Sequence, residues 1–445
     1  MMINVSLLKK RVLDLAFRGQ LSEHHENESS IELLPKLFNN KKKKYISFSP
    51  DFAEFEIPSN WNWCMTYQAV SLDNGDETSG EKLPYLEVKF LRTGKDPKII
   101  NSGVIVDKGE KLILVDGENS GEVFLANERG YKGSTLKILN ISDAFIEKYI
   151  FLFIYSYKEG FRKNKTGAAI PHLDKKRLFE TPLPIPPLEE QKRIVAKLDE
   201  MFAELDKIDE KQTRLAAIQE KMEAKILKLA IQGKLVEQRH EEGTGEDVFK
   251  LIQEEKQQLI EEGKIKKEKT LPAIEDIEIP FEIPSTWKWC KFGQLISLTS
   301  GVDLEPKDYF SESNCSSIPY ITGASCIDEK GNLVINRFTD KSHVNSTIGD
   351  ILLTCKGTIG KITVNDKGNM HLARQLMGIK TLIDFDFTRY YLMFIVDELK
   401  AKANGLIPGI DRPTVLNYYL PLPPLEEQKR ISEKIEELLP LCRGN

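Results

Sequence analysis

The side chains with most chemical reach in this sequence are those able to pair with base edges or neutralise phosphates. Arg374 and Gln375 stand side by side within Met370–Lys380. A guanidinium suits the two acceptors of guanine and a carboxamide suits adenine. Lys132 and Ser134 hold the similar place in the first half of the chain. Arg162, Lys163 and Lys165 form a basic cluster ahead of Gly167, the composition of a phosphate-facing loop. Lys356 and Lys361 flank Gly357-Thr358-Ile359-Gly360, which reads either as a tight turn between strands or as a phosphate contact, and Arg412 adds a further cation downstream. Trp61, Trp63, Trp287 and Trp289 could stack on bases. They recur in both halves, however, which favours packing against a core. Lys41–Lys44 is a solvated connector or a segment lying along phosphates.

Tools for catalysis are missing from the sequence. It has no Asn/Asp-Pro-Pro-aromatic motif, no glycine-rich loop opening a helix after a strand, and no GxxxxGK[ST]. The six cysteines (Cys64, Cys290, Cys315, Cys326, Cys355 and Cys442) form no CxxC pair and lack histidine partners, so free thiols are expected rather than zinc or disulfides. That usage fits a reduced cytoplasm. No run approaches the ~20 apolar residues of a membrane span, and Met1–Lys10 lacks the pattern of a signal peptide. The net charge of −5 is not that of a simple DNA-binding domain. DNA binding therefore requires local basic faces, with acidic charge carried elsewhere.

The elements that would position these residues are repeated. Glu56-Ile57-Pro58-Ser59-Asn60-Trp61-Asn62-Trp63-Cys64 returns as Glu282-Ile283-Pro284-Ser285-Thr286-Trp287-Lys288-Trp289-Cys290. Leu183-Pro184-Ile185-Pro186-Pro187-Leu188-Glu189-Glu190-Gln191-Lys192-Arg193-Ile194 returns as Leu420 to Ile431, changed only at Ile185/Leu422. Val12–Leu21 resembles Ile226–Leu235. The middle of the chain thus holds a whole helical segment, the C-terminus a copy of its beginning and the N-terminus a copy of its end. Such an arrangement is a circularly permuted repeat. Between the landmarks the two copies diverge, which suggests one constant partner and two different targets.

The central segment has heptad spacing. Ile194, Met201, Ile208, Leu215, Met222 and Leu229 recur every seven residues, with Leu198, Leu205 and Ile226 filling the second seam position. From Leu188 to Gln232 this predicts a helix roughly 65 Å long. Its stripe requires cover, and an antiparallel distal copy supplies Ile431, Ile435 and Leu438 at one end and Leu8, Val12 and Leu15 at the other. The copy is expected to lose its helix near Pro440, leaving about two heptads unmatched. The globular stretches read as mixed α/β with short strands. Leu21–Pro50 and Leu235–Ile277 read as charged connectors, each with a short helix.

Two divergent domains, each ending in a Pro-Leu-Pro-x-Pro-Pro-Leu-Glu-Glu-Gln lead into a repeated helix, resemble the specificity subunits of Type I restriction-modification systems over nearly the whole chain. The resemblance implies an α+β fold, with two mixed α/β target-recognition domains separated by long antiparallel coiled-coil helices in pseudo-two-fold relation. The corresponding divisions are 1–22, an N-terminal distal helix; 57–187, a first recognition domain; 188–235, the central helix; 236–282, a connector; 283–424, a second recognition domain; and 425–445, a short C-terminal helix. It also implies a non-catalytic cytoplasmic chain reading an asymmetric bipartite site in double-stranded DNA. Two methylation subunits and restriction subunits would be its partners, carrying S-adenosylmethionine, ATP and Mg²⁺. A tandem DNA-binding protein without methylase partners and a coiled-coil interaction adaptor are the competing readings. The first leaves the near-identical helix leads unexplained, the second the diverged pair.

Overall fold

The computed structural model describes residues 2–33, 55–163, 172–265, 271–274, 279–340, 345–403 and 409–443. Lys41–Lys44 and Lys165 lie outside these residues, as does the side chain of Lys163. The chain divides into two compact units, Met1–Arg214 and Leu215–Asn445.

Unit 1 begins with helix α1 (Val5–Phe17) and continues through strands β1 (Asn62–Met65), β2 (Val70–Asp73), β3 (Glu77–Leu86), β4 (Ile99–Val106), β5 (Lys111–Leu114), β6 (Val123–Leu125), β7 (Gly130–Lys132) and β8 (Leu136–Ile141). Helix α2 (Glu147–Ser156), strand β9 (Pro182–Ile185) and the first part of helix α3 (Leu188–Ile231) complete it. Unit 2 takes the rest of α3, then α4 (Gly245–Glu261), β10 (Lys288–Lys291), β11 (Ile296–Ser300), β12 (Ile318–Ile321) and β13 (Phe338–Thr339). Strands β14 (Ile351–Thr354), β15 (Ile362–Val364), β16 (His371–Leu372) and β17 (Leu376–Thr381) follow, then α5 (Phe385–Ala401), β18 (Tyr419–Leu422) and α6 (Leu425–Arg443).

The two units share their main topology, apart from a further β4–β7 pairing that closes the smaller sheet of unit 1. A four-stranded antiparallel sheet runs β2-β8-β5-β6 in unit 1 and β11-β17-β14-β15 in unit 2. A smaller set pairs β3 with β4 and β7, as β12 pairs with β13 and β16, the second partner parallel in each case. A third pair joins the strand carrying the repeated tryptophans to the Pro-Leu-Pro strand, with Trp63 opposite Pro184 and Trp289 opposite Pro421. Because side chains alternate along a strand, each sheet feeds two cores. Ile113 packs with Tyr149, Phe153 and Leu198, while Leu112 and Leu114 face Leu86, Phe90 and Val106. In unit 2, Ile351 and Leu353 join Tyr391 and Ile435, while Leu352 joins Ile321 and Leu372.

Helix α3 forms where Pro186 and Pro187 precede an acidic first turn, Glu189 and Glu190, that complements the helix dipole. It ends at Gly233, whose φ of +67° suits the left-handed helix terminus glycine adopts without penalty. Its first part lies antiparallel to α1: the Ile3 amide donates to Gln212 Oε1 at 2.6 Å, Lys9 pairs with Asp206, and Ser22 reaches Glu190. In unit 2 the last part of α3 runs antiparallel to α6, with Arg443 on Glu223 at 2.8 Å and Gln238 on Glu427. The antiparallel pairing expected from the repeat is therefore built once in each unit.

The seam itself departs from strict heptads. Ile194, Leu198, Leu205, Ile431 and Ile435 are buried, and Met201, Ile208 and Ile226 pack at the edge of the cores. Leu215 and Met222 are instead about half exposed, as is neighbouring Ile218. Towards the end of α3 the buried positions are Leu227, Ala230 and Ile231 rather than Leu229, and in α6 Leu439 replaces Leu438. A straight helix rotates ~20° per heptad relative to a seven-residue repeat, so the stripe drifts off the partner over this length. Helix α6 also continues through Pro440 to Arg443, contrary to the break expected there. The second connector carries not a short helix but the seventeen-residue α4. Ile252 of α4 is buried, and Lys256 donates to the Gly293 and Ile296 carbonyls at 2.6 and 2.8 Å.

Candidate nucleic-acid interface

The two units meet their α3 or α6 helix through the same side-chain latch. Glu190 and Glu427, each in the first turn of its helix, are fully buried. Trp61 Nε1–H donates to Glu190 at 2.9 Å and Trp287 Nε1–H to Glu427 at 3.0 Å. The second carboxylate oxygen pairs with His24 Nδ1 at 2.7 Å in unit 1 and accepts from Gln238 in unit 2. The following glutamine orients the long helix of the sheet domain: Gln191 accepts from the Ile146 amide, and Gln428 from the Asp384 amide. Arg193 binds Glu28, and Arg430 binds Glu242, at 2.7 and 2.6 Å. Gly19 and Gly233 lie where any Cβ would come within 2.4 Å of Pro58 or Pro284, so the strand lead sits directly on the helix terminus. Trp61 and Trp287 are thus core groups, while half-buried Trp63 and Trp289 pack on Phe55 and Phe281. Burial pushes the Glu427 carboxyl above its usual range, against the lowering by the Trp287 and Gln238 donors.

At one end of each four-stranded sheet three segments converge. In unit 2 the Cys355 amide donates to the Gln375 carbonyl at 2.7 Å, the Ile410 amide to the Cys355 carbonyl at 2.9 Å, and Lys356 bridges to Gly409. Unit 1 repeats these bonds: Val115 to Thr135 at 2.9 Å, Leu173 to Val115 at 2.8 Å, and a bridge from Asp116 to His172. Asp174 and Asp411 cap the helices that follow, accepting from the Arg177 and Thr414 amides. Equivalence of these bonds sets equivalence of side chains. Lys356, Arg374, Gln375 and Arg412 of unit 2 correspond to Asp116, Ser134, Thr135 and Lys175 of unit 1.

Four of the sequence candidates are therefore brought to one edge, Lys356, Arg374, Gln375 and Arg412. Lys356 and Arg374 are exposed. Gln375 is half-buried, and its Oε1 has no partner among the described residues. Arg412 is half-buried and donates to the Leu298 carbonyl. It also lines a polar cleft of about 820 Å³ with Ser297, Thr299, Lys380 and His371. Lys361 is placed differently from the expectation of a phosphate contact, because its ammonium is held by the Ala324 and Ile327 carbonyls at 3.2 and 2.9 Å.

In unit 1, Lys132 likewise donates inward, to the Leu136 carbonyl at 2.8 Å, and burial with the neighbouring Lys137 charge lowers its pKa. Ser134 stays exposed beside the Tyr85 hydroxyl. Arg162 turns to Glu122 at 3.4 Å, a carboxylate it shares with Arg92, and Lys163 closes its short helix. Sequence reading missed Asp116 and His172, a pair at 2.6 Å on the corresponding edge. The one signal for His172 was its place in Ile170-Pro171-His172-Leu173-Asp174, which returns as Ile407-Pro408-Gly409-Ile410-Asp411, and Asp116 had none. The described residues contain no group of three or more potential metal ligands and no helix long and apolar enough to cross a membrane.

The edge therefore offers hydrogen-bonding and cationic groups in unit 2 and an acid–imidazole pair with hydroxyls in unit 1. The sequence profile of the Type I restriction modification DNA specificity domain matches residues 69–219 and again 284–441. Among curated proteins, the Type I restriction enzyme EcoAI specificity subunit of Escherichia coli is 24% identical, across 98% of this chain and 89% of that protein. The MjaVIII specificity subunit of Methanocaldococcus jannaschii is 27% identical across 82% and 80%. Among solved structures, a chain from work on complex assembly and conformational transition of the type I R-M system superposes with a TM-score of 0.59. It is 18% identical and aligns over 88% of this chain and 93% of its own.

Proposed function

The chain belongs to the Type I restriction modification DNA specificity family, which matches more than half of its length in two blocks, and from that premise we propose that each unit is a separate DNA-reading head. Each head docks in the major groove of one half of a bipartite site, and helix α3 with its antiparallel partners sets the unread interval. The observation that carries this is one fold built twice, with the same latch and hydrogen bonds but unlike side chains at the equivalent edge. Constant parts serve a constant role, and divergent edges serve divergent targets. The site is accordingly asymmetric.

The chain itself is a recognition subunit without catalytic work. Methylation and restriction subunits dock on its helices in the cytoplasm and bring S-adenosylmethionine, ATP and Mg²⁺ with them. Half-exposed Leu215, Ile218 and Met222 on α3 offer one apolar surface for a methylation subunit.

Genome-wide mapping of methylated bases in the host, with and without this gene, tests the proposal. It predicts a split, asymmetric motif that disappears with the gene. A methylation pattern unchanged by deletion, or a motif without an unread interval, would contradict it.

A further inference from the structure

We infer that Arg374, held in place by Asp303, reads a guanine in the half-site of unit 2, and that unit 1 makes no such demand at the equivalent position. The inference rests on the reading of the units as DNA-reading heads and adds a residue and a base to it.

The Asp303 carboxylate grips Arg374 twice. One oxygen accepts from the Arg374 backbone amide at 3.0 Å, and the other forms an ion pair with its Nε at 2.8 Å. A close crossing of the chain makes this possible. The Gly301 amide donates to the Leu376 carbonyl and the Val302 amide to the Leu372 carbonyl, while His371 Nε2 meets the Val302 carbonyl at 2.7 Å. A Cβ on Gly301 would lie 2.1 Å from the Ala373 carbonyl oxygen, so only glycine allows the approach that carries Asp303 to Arg374.

The guanidinium is consequently held beside the Asp303 carboxylate by an ion pair at Nε, the bond to the carboxylate being made by the backbone amide. The side chain remains 66% exposed. An exposed ion pair of this kind contributes little to folding, so stability does not account for the double grip. An exposed guanidinium anchored beside one carboxylate offers its planar Nη pair to O6 and N7 of guanine, the commonest specific contact in the major groove. Lys356, exposed on the adjoining segment, is placed to neutralise a flanking phosphate.

In unit 1 the equivalent residue is Ser134, whose amide is taken by the Tyr85 hydroxyl at 3.0 Å. Where unit 2 has Lys356 and Gly409, unit 1 sets Asp116 against His172. No guanidinium stands there, so unit 1 makes no such demand for guanine at this position.

The test uses the chain assembled with its methylation and restriction subunits. Its methylated motif is mapped first. Binding is then measured to duplexes carrying 7-deazaguanine, which lacks N7, at each guanine of the motif in turn. For the wild type one guanine in one half-site should show a loss of affinity of about 10- to 100-fold. In Arg374→Ala the same replacement should cost less than ~2-fold, because the pairing group is already gone. Asp303→Asn should fall between the two, with thermal stability unchanged. If Arg374→Ala fails to assemble, Arg374→Lys serves, since a point charge loses the fork and should lose most of the discrimination. Full discrimination at every guanine in the Arg374 variants, or a motif without guanine, would overturn the inference while leaving the two heads standing. Absence of any bipartite motif in the wild type would overturn both.

Discussion

At the scale of single residues, two buried carboxylates decide how a head is attached to its helix. Removing Glu190 strands the Trp61 indole N–H in a buried site, and Glu190→Ala should cost about 1–3 kcal/mol in denaturant unfolding. A change below a few tenths would contradict the latch. Glu427 adds a pH signature. Burial raises its carboxyl above the usual 4.5, so its contribution is present below that value and lost as pH rises through the raised one. Glu427→Gln, neutral throughout, should remove that decline above pH 4.5, whereas parallel stability profiles would refute it. The thiols give a simpler check. Only Cys315 is exposed, and burial holds Cys290 at about 12. A disulfide reagent at pH 8 should therefore titrate one fast thiol in the native chain and the others only on unfolding. Several of these residues were legible in the sequence as repeats, above all the tryptophans and the Leu-Glu-Glu-Gln run. Their partnership was not, because nothing in spacing says that an indole and a carboxylate far apart in the chain will meet. Lys132 and Lys361 show the converse. A lysine in a variable stretch has the right type for a phosphate, but only the fold reveals that its ammonium caps carbonyls.

At the scale of elements, periodicity carried the long helix and its antiparallel partners, and it failed where the stripe turned. Ile194 to Leu205 keep the heptad because α1 and α2 cover them. Leu215 and Met222 keep the spacing without the burial. The helix through Pro440 shows a local rule yielding to packing, since buried Leu439 and Cys442 hold the last turn on either side of it. Helix α4 was underestimated for a related reason. Its charged surface resembles a connector, whereas Ile252 and Lys256 anchor it to the sheet. The stretch of α3 from 213 to 222 buries no residue, which makes it a place to alter length without disturbing either core. A seven-residue insertion there adds ~10 Å of helix. If α3 sets the interval, the unread spacer should grow by roughly three base pairs at ~3.4 Å each. Methylated-motif mapping reads the result, and an unchanged spacer would refute the ruler.

At the scale of the whole molecule, a chain of net charge −5 serves DNA because the charge is distributed rather than uniform. Helix α4 carries more acidic than basic residues, while the unit 2 edge exposes Lys356 and Arg374. The circular permutation explains why one chain can carry two heads of one design. Each head begins at the repeated Ile-Pro-Ser run, ends at the repeated proline pair, and latches to a helix of nearly the same sequence. What the repeat could not disclose is which side chains occupy the reading edge, since those are the positions where the copies differ. Hydrogen bonds common to both units were needed to align Ser134 with Arg374 and Asp116 with Lys356. The most direct measurement follows from that equivalence. Residues 283–424 are replaced by a second copy of 57–187, the protein is assembled with its partner subunits, and the methylated motif is mapped. Two identical heads should convert the asymmetric site into an inverted repeat of the unit 1 half-site. Retention of the original second half-site would contradict independent reading by the two units.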